Sequence, residues 1–171
     1  IWSWLRNVPQ KALFAAADAT EAEKGIAGLT LLFILFVIGG GFFGGAESAF
    51  SAMNKIRIKA KADDGNKRAK GVMYISNNFD RALTTLLIGN NITHIAAASI
   101  ATVIATRLFD NTDAVALWCT IISTMIVFLF SEMIPKSLAN DRCDSLSMLF
   151  AAPVRFLMKI LTPLVTFFTL I

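Results

Sequence analysis

Three long runs without a charged side chain dominate the hydrophobicity pattern of this chain. They cover residues 25–46, 82–106 and 114–131. Each run has about 18 residues or more, which is enough for an α-helix to cross a hydrocarbon layer about 30 Å thick. Extended to the nearest strongly polar positions, the runs predict three membrane spans, over about residues 25–53, 79–108 and 114–135.

The segment between the first two predicted spans, residues 54–78, carries a concentration of positive charge. Its basic residues are Lys55, Arg57, Lys59, Lys61, Lys67, Arg68 and Lys70, and its acidic residues are Asp63 and Asp64. Basic segments beside membrane spans typically lie on the cytoplasmic side. Because Asp64-Gly65-Asn66 is a turn signal, we predict a pair of cytosolic juxtamembrane helices. With three spans, the N-terminus is then outside and the C-terminus cytoplasmic.

The two ends of the chain are predicted to lie in the membrane interfaces. Residues 1–24 mix tryptophans with charged residues, and tryptophans beside a span favour the headgroup layer. Residues 142–171 are apolar enough for a fourth span, but Pro153 and Pro163 divide them, and Arg155 and Lys159 share one helical face. We therefore predict an amphipathic belt of helices in the inner interface rather than a fourth span.

The overall composition supports a membrane protein. The 171 residues are 56% hydrophobic and 16% charged, whereas a soluble domain carries about 25% charged residues. This balance excludes a soluble enzyme and a nucleic-acid-binding protein. An intramembrane enzyme is also disfavoured, because the sequence offers no candidate nucleophile with a neighbouring base. Cys119 and Cys143 would lie about 36 Å apart along a helix, so we expect no disulfide between them. We expect a multi-pass protein of the cell membrane, which in a bacterium is the inner membrane.

The few polar side chains inside the predicted spans are the candidates for function. They are Glu47 and Ser48 in the first span, Asn90 and Asn91 in the second, and Ser131 and Glu132 in the third. A carboxylate inside a membrane segment costs about 3 kcal/mol and usually marks an ion pathway. The alternative for each glutamate is a structural role, in which it reaches the interface or pairs with Lys55 or Lys136.

Two sequence features predict free backbone oxygens beside these side chains. Gly and Asn readily leave right-handed helical geometry, so Gly89-Asn90-Asn91 predicts a break in the second span. Pro135 has no N–H, so the carbonyl of Ser131, four residues earlier, loses its helical partner. Together with the carboxylates, these oxygens favour a hard cation, Mg²⁺ or Na⁺, over a soft transition metal. We interpret the single histidine, His94, as making one buried hydrogen bond or facing the outer vestibule.

Glycines are concentrated in the first span. Gly40 and Gly44 are four residues apart, as are Gly41 and Gly45, and this spacing lets helix backbones approach closely in lipid. The alternative is that the missing side chains make room for an ion. Close helix packing and room for an ion are compatible if they involve different faces of the first span.

Three sequence motifs follow one another along the spans. They are Phe-Phe-Gly-Gly-Ala-Glu-Ser-Ala-Phe at 42–50, Leu-Leu-Ile-Gly-Asn-Asn at 86–91 and Glu-Met-Ile-Pro-Lys at 132–136. In order and spacing they resemble the transmembrane domain of the CNNM/CorC magnesium transporters, from about residue 25 to 171. The resemblance implies an all-α membrane protein with three transmembrane helices per subunit, the second one broken. It also implies a homodimer with cytosolic juxtamembrane helices and an amphipathic belt.

The same resemblance implies an activity and a site. Members of the family export Mg²⁺, with Na⁺ entry as the expected driving force, and carry cytosolic CBS domains that bind ATP and would follow residue 171. Carried over to this sequence, the Mg²⁺ ligands would be Ser48, the Gly89-Asn90-Asn91 turn and Glu132. Apart from the resemblance, we predict from the residues themselves that Gly44, Glu47 and Pro135 line the ion pathway or position the helices.

Two positions depart from the family's pattern. Gly44 stands where the family commonly has a serine, and Ser131 stands where it commonly has a glycine. One hydroxyl is lost and another gained on helices predicted to face each other, so we hypothesise that Ser131 partly replaces the missing ligand. The alternatives are an altered site that moves a different cation and a non-transporting membrane anchor that reports the cation level to a cytosolic partner.

Overall fold

The computed structural model describes the backbone of residues 10–108 and 113–169 and the side chains of residues 25–108 and 117–162. Within these ranges the chain is all-helical and contains no strand, as predicted. The helices are α1 (Gln10–Ala52), α2 (Lys55–Asp63), α3 (Lys67–Asn77), α4 (Phe79–Leu108), α5 (Asp113–Val127), α6 (Ile134–Asp141) and α7 (Cys143–Thr169), and a π-helical segment (Phe128–Met133) joins α5 to α6. Of the predicted N-terminal interfacial segment 1–24, residues 1–9 lie outside the described residues, and the backbone of 10–24 continues into α1.

Four stretches of the described helices are long and apolar enough to cross a membrane. They are Gly25–Ala52, Phe79–Leu108, Leu117–Asp141 and Cys143–Thr162. The first three coincide with the predicted spans, whereas the fourth lies in the predicted amphipathic belt. Helix length and composition therefore do not confirm a count of three spans.

The basic segment folds as the predicted pair of short helices. The side chain of Asn54 caps α2 by accepting the N–H of Arg57 at 3.1 Å, and that of Asn66 caps α3 by accepting two N–H groups. Gly65, between the two helices, has a φ of 92°, a conformation that is cheap only for glycine. Local capping and one glycine thus define this hairpin of helices, as their sequence signals predicted.

The second span is not broken, and this prediction was wrong. α4 runs without interruption through Gly89, Asn90 and Asn91, and Gly65 has the only positive φ among the described residues. The ring of Phe43 on α1 packs against Gly89 and occupies the space where a Cβ would lie. Glycine and asparagine tolerate other geometries but do not require them, so packing against α1 keeps the helical one.

Backbone irregularity occurs instead in the third span. The turn before Pro135 is π-helical, and the N–H of Ile134 donates to the carbonyl of Leu129, five residues earlier. In a regular α-helix the proline ring would clash with the carbonyl of Ser131. The wider π turn separates these groups, and such single-turn π segments often mark functional positions.

The last helix continues through both prolines, contrary to the prediction that they divide it. The backbone of α7 is helical at Pro153 and at Pro163, and Pro153 lies on the exposed side. Its opposite side carries a buried stripe at helical spacing, Ser147, Ala151, Val154 and Met158. Because this stripe packs on α1, α3 and α4, its contacts offset the hydrogen bonds that the prolines remove.

The apolar core lies at the end of the bundle where α2 and α3 are found. Its fully buried large side chains come from five helices and include Phe50, Ile58, Val72, Ile75, Leu86 and Val154. Asp144, at the start of α7, fixes this end by accepting from Arg57 at 2.7 Å and from the backbone N–H of Asn54 at 3.0 Å. Both Cys119 and Cys143 are free thiols, so the expectation of no disulfide between them is confirmed.

The glycines of α1 allow close packing against the third span. A Cβ at Gly40 would overlap the hydroxyl of Ser131, and one at Gly41 would lie 3.1 Å from Pro135. A Cβ at Gly44 would meet only ordinary contacts, 3.5 Å from the carbonyl of Ser131 and from Cε of Lys136. The close-packing interpretation therefore describes Gly40 and Gly41, whereas Gly44 leaves space beside polar groups.

We expect Gly40→Ala to lower the free energy of unfolding by about 1–3 kcal/mol, because the added methyl group has no room beside Ser131. Thermal unfolding of the detergent-solubilised protein measures this change. The matched control is Gly28→Ala on the same helix, where no atom lies within 4 Å of an added Cβ. The control should be neutral or up to about 1 kcal/mol more stable, and equal losses for both variants would contradict the close-packing account.

Candidate cation site

The candidate site lies where α1, α4 and the π-helical segment meet. Cβ atoms on Gly39 and Gly40 would contact Thr93 and His94 respectively, each at about 3 Å (3.2 and 3.1 Å). Phe43, further along α1, contacts Gly89, which is earlier on α4. The two helices therefore run antiparallel. One turn beyond the Gly40–His94 contact, Gly44 of α1 lies level with Asn90 of α4.

An ion triad occupies the side of the site formed by α1, the π-helical segment and α6. Nζ of Lys136 lies 2.9 Å from Oε1 of Glu132 and 3.7 Å from Oε2 of Glu47. The three side chains are only a quarter to a third exposed, at 32%, 33% and 24% respectively. One ammonium is thus shared by two carboxylates, which leaves the triad with a formal charge of −1. The structure brings Glu47 and Glu132 together, and Lys136 is the partner of both.

Asn90 supplies an oxygen that has no partner. Its side chain is 8% exposed, and its Oδ1 is buried without a hydrogen bond to any described residue. An unsatisfied buried acceptor costs about 1–3 kcal/mol, so this oxygen is a candidate cation ligand. The neighbouring Asn91 is exposed on another side of α4. Of the two asparagines predicted for the site, the structure places only Asn90 toward the interior.

Ser131 connects the third span to α4. Its side chain is fully buried, and its Oγ lies 3.0 Å from Nε2 of His94. His94 is therefore part of the site, where it makes a partly buried hydrogen bond. Its signal in the sequence was its position one turn after Asn90 on the same helical face.

The backbone carbonyl and the side-chain hydroxyl of Ser131 differ in how close they lie to Gly44, where the family's hydroxyl is missing. The carbonyl of Ser131 lies beside Gly44, whereas its hydroxyl lies one turn away, beside Gly40. Ser48, a further turn along α1, is half-buried and makes no hydrogen bond to the described part of the chain. The replacement of a lost ligand by Ser131 remains a hypothesis, in which its carbonyl is better placed than its hydroxyl.

The site is rich in oxygen and poor in soft ligands. A cavity of about 220 Å³ is lined by both His94 and Glu132, together with Thr124 and Phe128. Across the described residues, no cluster of three or more His, Cys, Asp or Glu side chains is suitable for a metal. The donors present are carboxylate, amide, hydroxyl and carbonyl oxygens, which suit a hard or ammonium-type cation better than a transition metal.

Comparison with known proteins gives a consistent result. The family profile described as "Cyclin M transmembrane N-terminal domain" (CNNM) matches residues 31–171. A "UPF0053 protein" of Haemophilus influenzae is 34% identical over 140 residues, covering 80% of this chain and 33% of the relative. The "UPF0053 inner membrane protein YfjD" of Escherichia coli is 32% identical over 120 residues, covering 68% and 28%.

A further relative has a name that describes its function. The "Polyamine export protein" of Escherichia coli is 26% identical over 156 residues, covering 81% of this chain and 34% of that protein. The chain therefore spans about a third of the length of the curated relatives it matches (33% and 28% of the first two).

We expect Asn90→Leu to leave the unfolding temperature unchanged or to raise it, because the substitution removes an unsatisfied buried oxygen while it keeps the same number and branching of side-chain heavy atoms. Thermal unfolding in detergent, without added cations, checks this. Thr93→Val is the control, since Thr93 is equally buried at 8% but its hydroxyl donates to the carbonyls of Gly89 and Asn90. In that control the free energy of unfolding should fall by about 0.5–1 kcal/mol. A large loss for Asn90→Leu would mean that its oxygen is already satisfied.

Proposed function

We propose that this chain, which belongs to the cyclin M (CNNM) transmembrane-domain family, is the membrane-embedded part of a transporter that exports Mg²⁺. The proposal rests on the Glu47–Lys136–Glu132 triad together with the unpaired oxygen of Asn90, a residue that helical geometry puts level with Gly44, one turn before Glu47's neighbour Ser48. Together they form a site in the membrane interior that has net negative charge and an unused acceptor. The chain is not proposed to be an enzyme.

The donor set supports Mg²⁺ on chemical grounds. Mg²⁺ gives up its hydration water reluctantly and binds through one or two carboxylates with additional oxygens. Glu132 supplies the carboxylate, Asn90 the amide oxygen and Ser131 a backbone carbonyl. Ser48, Gly89 and Asn91 are the further ligands that the family resemblance implies, and Asn91 is the least well placed because it is exposed.

Lys136 stabilises the carboxylates of the site when no transported cation is bound. In that state its ammonium neutralises Glu132 at 2.9 Å while it remains 3.7 Å from Glu47. When Mg²⁺ binds, Glu132 turns toward the cation, and the ammonium keeps Glu47 as its partner. An exchange of this kind avoids an unpaired carboxylate in the membrane at any stage, which would be costly. Entry of Na⁺ is the proposed driving force.

A polyamine is the second candidate cargo. One relative carries the name polyamine export protein, and a polyamine carries primary ammonium groups like that of Lys136. The 2.9 Å contact between Nζ of Lys136 and Glu132 is favourable geometry for an ammonium group at this carboxylate. The non-transporting cation sensor is the third candidate, and it predicts binding without flux.

We place α7 in the inner interface, which gives three spans per subunit. Arg155 and Lys159 are exposed and lie at positions 13 and 17 of the 27 residues of α7 (Cys143–Thr169). In a spanning helix these two charges would be near the membrane centre, where each costs about 3 kcal/mol. In an interfacial helix they face the headgroups. A homodimer, and ATP binding by cytosolic CBS domains after residue 171, are further parts of this proposal.

We expect Glu132→Gln to reduce Mg²⁺ flux to the level of protein-free liposomes, because the amide retains the shape but not the charge that offsets Mg²⁺ dehydration. The measurement uses a Mg²⁺-sensitive dye inside proteoliposomes, with and without a Na⁺ gradient. Asp63→Asn on the exposed surface of α2 is the control and should transport normally.

The same preparation separates the candidate functions. Spermidine flux that exceeds Mg²⁺ flux and is lost in Glu132→Gln would favour the polyamine, and cation binding without flux would favour the sensor. Flux of Mg²⁺ that is equal with and without the Glu132 carboxylate would overturn the proposal. In Ser131→Gly, unchanged Mg²⁺ affinity would show that Ser131 does not replace the ligand missing at Gly44.

The three-span arrangement predicts that the two ends of α7 are on the same side of the membrane. In a background with both native cysteines replaced by serine, the variants Asn140→Cys and Thr162→Cys should react with a membrane-impermeant thiol reagent only from the cytoplasmic side. Lys59→Cys on α2 provides the cytoplasmic reference. Labelling of Thr162→Cys from the outside would instead establish α7 as a fourth span.

A further inference from the structure

A second polar cavity, unrelated to the cation site, opens where α3, α4 and α7 meet. It has a volume of about 590 Å³, and its polar lining includes Tyr74, Asn78, Arg81, Arg155 and Lys159. None of these residues belongs to the candidate cation site, and a cavity with cationic walls repels Mg²⁺ and polyamines. Its ligand must therefore be of another chemical class.

The charges of this cavity are all of one sign. Arg81, Arg155 and Lys159 line it, and no acidic residue does. In the part of the chain with described side chains, none of the three has a carboxylate within ion-pair distance, in contrast to Arg57 and Lys136. The cavity therefore presents three uncompensated cations, which favours an anionic ligand.

Arg155 extends the basic surface to a neighbouring cavity. Its guanidinium lies 4.8 Å from the centre of the Tyr74 ring, a cation–π contact that orients it. The same residue lines a cavity of about 330 Å³ together with Lys67, Arg68 and Gly71. Two adjoining cavities thus share one oriented arginine, and neither has an acidic lining residue.

The surroundings of the cavity indicate a lipid rather than a soluble anion. Phe156 lines the cavity and is 64% exposed, and Ile160 on the next turn is 54% exposed. These apolar side chains are on a helix that is long and apolar enough for the membrane. A soluble phosphate would leave them in water, whereas a phospholipid places its acyl chains against them and its phosphate among the cations.

We propose that this cavity binds the phosphodiester headgroup of an anionic phospholipid of the inner leaflet. The phosphate lies between Arg81, Arg155 and Lys159, and its acyl chains run along the exposed apolar side of α7. Basic cavities between membrane helices on the cytoplasmic side are suited to such headgroups. The lipid then joins α7 to α3 and α4 and holds the amphipathic helix in the interface.

The test compares lipids with identical acyl chains by their effect on the detergent-solubilised protein. Phosphatidylglycerol should bind and raise the unfolding temperature, and phosphatidylcholine should not. In Arg155→Gln/Lys159→Gln, the affinity for phosphatidylglycerol should fall about fivefold for each cation removed. Should that double variant fail to fold, Lys159→Gln alone, a change at an exposed position, provides the same comparison.

The control removes the same charge from the same end of the molecule. Lys55→Gln/Lys59→Gln changes two exposed lysines of α2 that line neither cavity, and it should leave the affinity unchanged. An equal loss in this control would mean attraction by net charge rather than a site. Equal binding of phosphatidylcholine, or displacement of the lipid by inorganic phosphate or ATP at similar concentration, would also overturn the proposal. Cation flux does not enter the readout, so the result is independent of the proposed transport function.

Discussion

The close approach of α1 to its two neighbours is the constraint on which the rest of the structure depends. Lipid provides no hydrophobic force between helices, so packing and interhelical hydrogen bonds hold them together. Without a side chain at Gly40, the hydroxyl of Ser131 fits against α1 and reaches His94 on α4. The glycine at 89 receives the Phe43 ring in the same way. These contacts set the register that brings the polar groups of three helices to one level.

Within that register, the scarcity of charge gives the site its properties. Two carboxylates share the single ammonium of Lys136, so every charge has a partner and the triad remains negative by one unit. The oxygen of Asn90, one helical turn before His94 on α4, stays without a partner in the described part of the chain. A preformed site whose carboxylates are paired but whose net charge is −1 is suited to reversible binding of a cation. A purely structural ion pair would have no need of the unsatisfied oxygen.

The two ends of the molecule differ in their chemistry. The middle of the bundle is oxygen-lined and weakly negative, whereas the end with α2 and α3 contains the apolar core and the unpaired cations around Arg155. The sequence showed the basic segment 54–78, but not this cavity, because Arg81, Arg155 and Lys159 come from helices far apart along the chain. Charge on one loop indicates orientation, while a binding cavity requires the packing of α7 on α3 and α4.

Sequence alone determined the features that depend on hydrophobicity and charge averaged over about 20 residues. These are the three long apolar helices, the basic hairpin and the polar positions within the spans. It also predicted that the carbonyl of Ser131 loses its helical partner, because the missing N–H of Pro135 is a local covalent fact, whereas the π-helical form of that turn came only from the structure. It was wrong about a break at Gly89-Asn90-Asn91, since these residues permit irregular backbone and only the packing of Phe43 decides against it. The partner of His94, the sharing of Lys136 and the exclusion of Asn91 from the interior were likewise decided by tertiary structure. Each depends on the rotation and register of one helix against another, which close packing of α1 sets and hydrophobic periodicity does not specify.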